Sequence, residues 1–157
     1  MEREELWERV RSVLFVCSGN VCRSPMAEAL FRRIVETSKS PRAREMTVSS
    51  AGVLGFTAGT PAPPLAQEVM HRRGLNLTGF TASNLTPTLI RDADLILTAT
   101  RDQRDKIVAW VPAAAHKAFT LCEEDVPDPL SHPVEVYESV AQQIERCLEF
   151  WRRRLGL

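Results

Sequence analysis

Cys17 and Arg23 bracket the segment Cys17-Ser18-Gly19-Asn20-Val21-Cys22-Arg23-Ser24 and are separated by five residues. A loop that curls around a tetrahedral oxyanion must turn several backbone N–H groups inward. Gly19 and Asn20 tolerate the dihedrals this requires. Arg23 offers a planar fork that fits two phosphate oxygens, a geometry lysine cannot match. A field that attracts an anion also stabilises a thiolate, and cysteines in such settings fall to pKa values of about 3.5–7.5 instead of about 8.5. Cys17 is therefore expected to be an ionised nucleophile at neutral pH. Ser24 has a hydroxyl available to that sulfur. The chemistry indicated is phosphoryl transfer through a covalent cysteine adduct.

Spacing alone is weak: in a chain with four cysteines and this many arginines, such a pair arises by chance in roughly four of ten cases. The sequence contains its own control, because Cys147 and Arg153 share the spacing. That second pair falls in a helical pattern without glycine or turn residues and cannot wrap an anion. Metal ligation by Cys17 and Cys22 is disfavoured because no further His or Cys cluster completes a site. A nucleotide-binding loop is excluded by the lack of a Gly-Lys-Ser/Thr ending. The structural alternative is a buried cysteine at a strand end followed by an ordinary turn.

The elements around the segment suit the task. Val13 to Cys17 is a continuous apolar run of the kind buried on both faces of a sheet. A helix is expected from Ser24, with Ser24 as cap, Pro25 in its first turn, Glu28 near its positive end, and Ala27, Leu30, Phe31 and Ile34 inward. That helix aims its amino end at the anion position. Met46 to Ser50 reads as a second strand ended by Ala51-Gly52, Asp94 to Ala99 as a third, and Lys117 to Leu121 as a fourth. Helices are expected from Pro63-Pro64 to Arg73, stopped by Gly74, and from Arg101 to Trp110. The last, from about Pro133 to Leu155, buries Tyr137, Val140, Ala141, Ile144, Leu148, Trp151 and Leu155. Strands alternating with helices specify an α/β three-layer sandwich, a four-stranded parallel sheet with helices on both faces, flavodoxin/Rossmann-like. Such sheets bind ligands beyond the carboxyl ends of their strands, where the Cys17 loop and the loop holding Asp128 both lie.

At 157 residues the chain is read as a single domain, 1–157, with 1–11 as an extra amino-terminal segment forming a short helix through Leu6, Trp7 and Val10. Twenty basic residues balance twenty acidic ones, which argues against a nucleic-acid or anionic-membrane partner. The charged start and the lack of a long apolar run point to a cytoplasmic protein whose four cysteines are free thiols.

The stretch Val13 to Glu28, containing Cys-Ser-Gly-Asn-Val-Cys-Arg-Ser-Pro-Met-Ala-Glu, closely resembles the signature of the low-molecular-weight protein tyrosine phosphatase family. Ser50-Ala51-Gly52 and Asp94-Leu95-Ile96-Leu97 look like that family's second and third strands. Val126-Pro127-Asp128-Pro129 resembles its general-acid loop, and the last helix is similar too. The resemblance covers essentially everything after residue 11. It implies catalysis without metal or cofactor by Cys17, Arg23 and Asp128. Substrate phosphate would be bound by Ser18, Gly19, Asn20, Val21, Cys22, Arg23 and Ser24, with Asn20 holding the loop's shape. Taken alone, Asp128 in an Asp-Pro pair indicates only a turn.

The resemblance also implies a phosphorylated protein side chain as substrate, inorganic phosphate as product, and Cys22 as a redox partner for Cys17. Most relatives act on phosphotyrosine, and one bacterial branch acts on phosphoarginine. That branch resembles this chain in the run Asp128 to Tyr137 and in Gly52-Val53. Its distinguishing threonine is replaced here by Val21, an apolar wall suited to an aromatic ring. The aromatic residues usual after Asp-Pro are replaced by Leu130-Ser131, with Phe56 or Leu54 as candidate substitutes. Arsenate reductase is disfavoured because Leu97 to Arg104 holds no cysteine and Pro25 stands in place of that lineage's glutamine. A non-catalytic phosphate-binding module would not need the nucleophile.

Overall fold

The computed structural model describes residues 3–157. The expected sheet is present. Its four strands, β1 (Ser12–Cys17), β2 (Thr47–Gly52), β3 (Leu95–Thr98) and β4 (Ala118–Thr120), are all parallel, in the order β2-β1-β3-β4. Parallel strands need long crossovers, and helices supply them: α2 (Arg23–Thr37) and α5 (Arg101–Trp110) each follow a strand directly. The remaining helices are α1 (Arg3–Arg9), α3 (Pro64–His71), α4 (Pro87–Asp92) and α6 (Val134–Arg154).

Alternation along β1 divides the core. Val13, Phe15 and Cys17 face a layer formed by α1, α2, α3 and α6, with Phe31, Met70, Ile144 and Leu148 fully buried. Leu14 and Val16 face the opposite layer, where Ile90 of α4 and Ile107 of α5 pack. Every residue expected on the inner face of α6 is buried.

The amino-terminal helix expected between Glu2 and Arg11 is present as α1, with Met1 and Glu2 outside the described residues. Its Trp7 packs at a tilt against Phe119 of β4 and edge-on against Trp151 of α6, with ring centroids 5.4 and 5.5 Å away. The six-residue α4, capped by Thr86, is too short to leave a hydrophobic period and was not expected. β2 runs on through Ala51-Gly52 because its pairing with β1 continues to the Cys17–Gly52 register.

Four free thiols are not found, because Cys122 and Cys147 form a disulfide with Cα atoms 5.5 Å apart. Their separation of 25 residues hides the pairing in the sequence. Trp151 of α6 donates its indole N–H to Leu121 O at 2.9 Å. That bond docks α6 over the end of β4, and Cys147, one helical turn earlier, then faces Cys122. Cys17 and Cys22 remain free.

Candidate active site

β1 ends at Cys17 in the middle of the sheet, and β3, its neighbour, ends beside it. The chain leaves β1 and β3 in opposite directions across the sheet, creating the crevice in which such folds hold ligands. The segment 18–22 curls between the end of β1 and the first turn of α2.

The curl depends on Asn20. Its φ is +56°, in the left-handed region, whereas Gly19 has an ordinary φ, so the asparagine and not the glycine takes the strained position. Asn20 is fully buried, and both polar atoms of its side chain are hydrogen-bonded. Its side-chain amide donates to Ser24 Oγ at 2.8 Å and to Ser50 Oγ at 2.9 Å, and its Oδ1 accepts from the Ser83 amide at 2.9 Å. Its backbone N–H points at the Cys17 sulfur, 3.3 Å away. In the sequence Ser50 reads only as the end of the second strand and Ser83 not at all, because nothing local marks either as a partner of Asn20.

Ser24 does not cap α2. The helix starts at Arg23 without a side-chain cap, and the Ser24 hydroxyl lies 2.9 Å from Cys17 Sγ. The hydroxyl is therefore spent on the nucleophile, as its alternative role anticipated. The Asn20 amide donates to the sulfur and the Ser24 hydroxyl shares a hydrogen bond with it, at the positive end of a 15-residue helix.

Arg23 is buried, and its Nη1 donates to Val126 O at 2.9 Å. Val126 is in turn fixed by its amide N–H, which donates to Ala99 O at 2.9 Å. Two residues later, Asp128 reaches over the loop, with Oδ2 3.8 Å from Arg23 Nη2. The other oxygen of Asp128 accepts the Leu130 amide at 3.1 Å, which orients the carboxylate, and prolines flank it on both sides. The Asp128 side chain is half exposed, open to both substrate and water. The three residues expected to carry the reaction are thus brought to one place.

Ser18 and Val21 line the same loop and are half-buried. Ser18 Oγ accepts from Gln103 Nε2 at 3.0 Å, a contact that sequence reading did not reveal. Cys22 lies beneath the loop, its Sγ 3.8 Å from the hydroxyl of Tyr137 on α6. Burial pushes the Cys22 thiol up to about 12, and burial also raises the Tyr137 hydroxyl above its ordinary value. Leu54, whose amide is held by Ser18 O at 2.8 Å, and the exposed Phe56 follow β2 on one side of the loop. The exposed Leu130 lies beside Asp128. Among the described residues, no group of three or more His, Cys, Asp or Glu side chains is placed to hold a metal.

The family model described as "Low molecular weight phosphotyrosine protein phosphatase" matches residues 12–156. A Ralstonia nicotianae protein named "Probable low molecular weight protein-tyrosine-phosphatase EpsP" is 35% identical over 149 residues, covering 93% of this chain and 97% of its own. A "Protein-arginine-phosphatase" of Bacillus subtilis is 34% identical over 149 residues, covering 91% and 95%. Among solved structures, Vibrio vulnificus Wzb in complex with benzylphosphonate superposes with a TM-score of 0.84 at 26% identity, covering 93% of this chain and 99% of its own. The chain belongs to the low molecular weight phosphotyrosine protein phosphatase family.

Proposed function

We propose that this chain hydrolyses phosphotyrosine in proteins through a phosphocysteine on Cys17. One observation carries the reading: the Cys17 sulfur, the Arg23 guanidinium and the Asp128 carboxyl converge on one curled loop, with Asp128 Oδ2 3.8 Å from Arg23 Nη2. Phosphate monoester transfer passes through a loose transition state, so positioning and charge stabilisation supply the catalysis. The sulfur attacks phosphorus as the bond to the ester oxygen breaks. Arg23 and the inward N–H groups hold the three equatorial oxygens. Asp128, in its acid form, gives its proton to the departing oxygen. As a carboxylate it then takes a proton from the water that attacks phosphocysteine, freeing Cys17 and inorganic phosphate.

An aromatic ester is favoured by Val21 in the loop wall and by apolar Leu130 and Phe56 on the flanking segments. The second reading, phosphoarginine, is motivated by the similarity to the Bacillus subtilis enzyme. A cytoplasmic location belongs to the proposal; the free Cys17 and Cys22 favour it, whereas the Cys122–Cys147 disulfide points the other way. Cys22 is proposed as the redox partner. Peroxide transfers one oxygen to the Cys17 sulfur as its O–O bond breaks and water departs; the Cys22 sulfur then attacks the sulfenic sulfur, loses its proton to the displaced hydroxyl, and a second water leaves as the disulfide forms.

Hydrolysis of p-nitrophenyl phosphate without added metal, blocked by vanadate and by alkylation of Cys17, tests the reaction. Side-by-side kcat/KM values on phosphotyrosine and phosphoarginine peptides test the substrate. Unchanged turnover by the Cys17→Ser variant overturns the mechanism.

A further inference from the structure

Gln103 lies at the amino end of α5 and is 3% exposed, one of only a few polar residues so deeply buried among those described. Part of its role concerns the helix. Gln103 Oε1 accepts the Thr100 amide at 2.9 Å, and the Gln103 amide donates to Thr100 Oγ1 at 3.2 Å, closing a reciprocal capping box. Glutamate would serve that purpose equally well, since the cap uses only an acceptor oxygen. The helix therefore does not explain why an amide stands here.

The other end of the side chain does. Nε2 donates to Ser18 Oγ at 3.0 Å, crossing from the end of β3 to the loop that follows β1. The same Ser18 oxygen accepts from Arg23 Nη2 at the longer distance of 3.5 Å. A hydroxyl oxygen has two lone pairs, so these two donors fill it. With the Val126 carbonyl on Nη1, Arg23 is then held at both terminal nitrogens, and its remaining N–H groups are left for an oxyanion. A carboxylate at position 103 would instead require Ser18 to donate, and would place a negative charge next to the anion site.

We propose that Gln103 is a positioning residue for phosphate binding, acting through Ser18 to fix the guanidinium of Arg23. The inference rests on the reading of the Cys17 loop as the phosphate site. It adds that α5 supplies a neutral donor which sets the direction of the Ser18 hydroxyl.

The test measures the binding of inorganic phosphate, its competitive inhibition of p-nitrophenyl phosphate hydrolysis, and the thermal midpoint. Gln103→Glu keeps the cap, so its midpoint stays near the parent's, while phosphate binds about tenfold more weakly and KM rises more than kcat falls. Ser18→Ala weakens phosphate by a similar factor, and Ser18→Thr, which keeps the hydroxyl, restores binding. Gln103→Leu loses cap and donor together. In the Ser18→Ala background its midpoint cost persists, but phosphate binding weakens no further. Tight phosphate binding in Gln103→Glu, or fully additive losses in the Ser18/Gln103 cycle, overturns the proposal. If the parent neither binds phosphate nor turns over substrate, the reading of the loop itself fails, which is a separate result.

Discussion

Cys17 and Gly52 form the last register pair between β1 and β2, and the loop that leaves Cys17 lies directly against Gly52. A Cβ at position 52 would stand 2.8 Å from both the Asn20 amide nitrogen and the Gly19 carbonyl carbon, and 2.9 Å from Ser18 O. All three are backbone atoms, so no side chain can swing aside. Gly52→Ala is expected to push the curled segment outward and lower kcat/KM on p-nitrophenyl phosphate by about a hundredfold, the scale of a 1 Å misplacement. The overpacking should cost about 1–3 kcal/mol of stability. A variant with parental kcat/KM would show that the loop tolerates displacement.

Asp128 has one oxygen committed to the Leu130 amide and the other directed towards Arg23. Asp128→Asn preserves the shape and removes the transferable proton. Turnover of phenyl phosphate is expected to fall by about 10²–10³-fold, while p-nitrophenyl phosphate, whose leaving group needs little assistance, slows far less. Equal slowing of the two esters would remove Asp128 from the acid role.

The two free cysteines should differ sharply in reactivity. Burial holds the Cys22 thiol protonated, pushed up to about 12, so iodoacetamide at pH 7 is expected to label Cys17 and spare Cys22 in the native protein. The sign for stability follows from the raised value. The contribution of Cys22 is fully present below the ordinary thiol range, and is lost as pH rises from there towards about 12, because the unfolded chain ionises first. Cys22→Ser should flatten the alkaline limb of the stability curve. Peptide mapping that finds both cysteines labelled at similar rates would count against the buried thiol.

The Cys122–Cys147 bond closes a loop of 25 residues, for which chain-entropy reasoning gives about 3.5 kcal/mol. Cys147→Ser, or reduction of the parent, is expected to lower the unfolding free energy by that order. The activity at 25 °C should be retained, because Arg23, Gln143 and the Ala99 carbonyl still hold the stretch between Glu124 and Val126. A denaturant curve unmoved by reductant would argue that the bond does not form in solution.

The sequence revealed the sheet well because β1 and β3 are short apolar runs buried on both faces, and because α6 repeats its inner-face residues over many turns. It revealed less where structure depends on distant parts of the chain. Nothing near Cys122 announces Cys147, and the short α4 has no period to detect. In the site, Cys17, Arg23 and Ser24 are local in sequence and were legible from their spacing and the helix that follows. Asp128 needed the resemblance to a family, since an Asp-Pro turn by itself implies no acid. The contacts of Ser50, Ser83 and Tyr137 with the loop were not legible, because they form only through tertiary packing. Gln103 did leave a trace: Thr100-Arg101-Asp102-Gln103 fits a capping box, but that pattern speaks of a helix start and not of the residue across the crevice.

Asn20 holds the motif open through bonds that reach beyond it. Its struts come from the helix after it, from the neighbouring strand and from the segment near Ser83. Eight consecutive letters thus describe a joint between separate stretches of chain, not a portable part. Grafted alone onto a foreign scaffold, the segment from Cys17 to Ser24 would carry its sulfur and its guanidinium but leave behind the braces from Ser50 and Ser83, and it would relax into an ordinary bend.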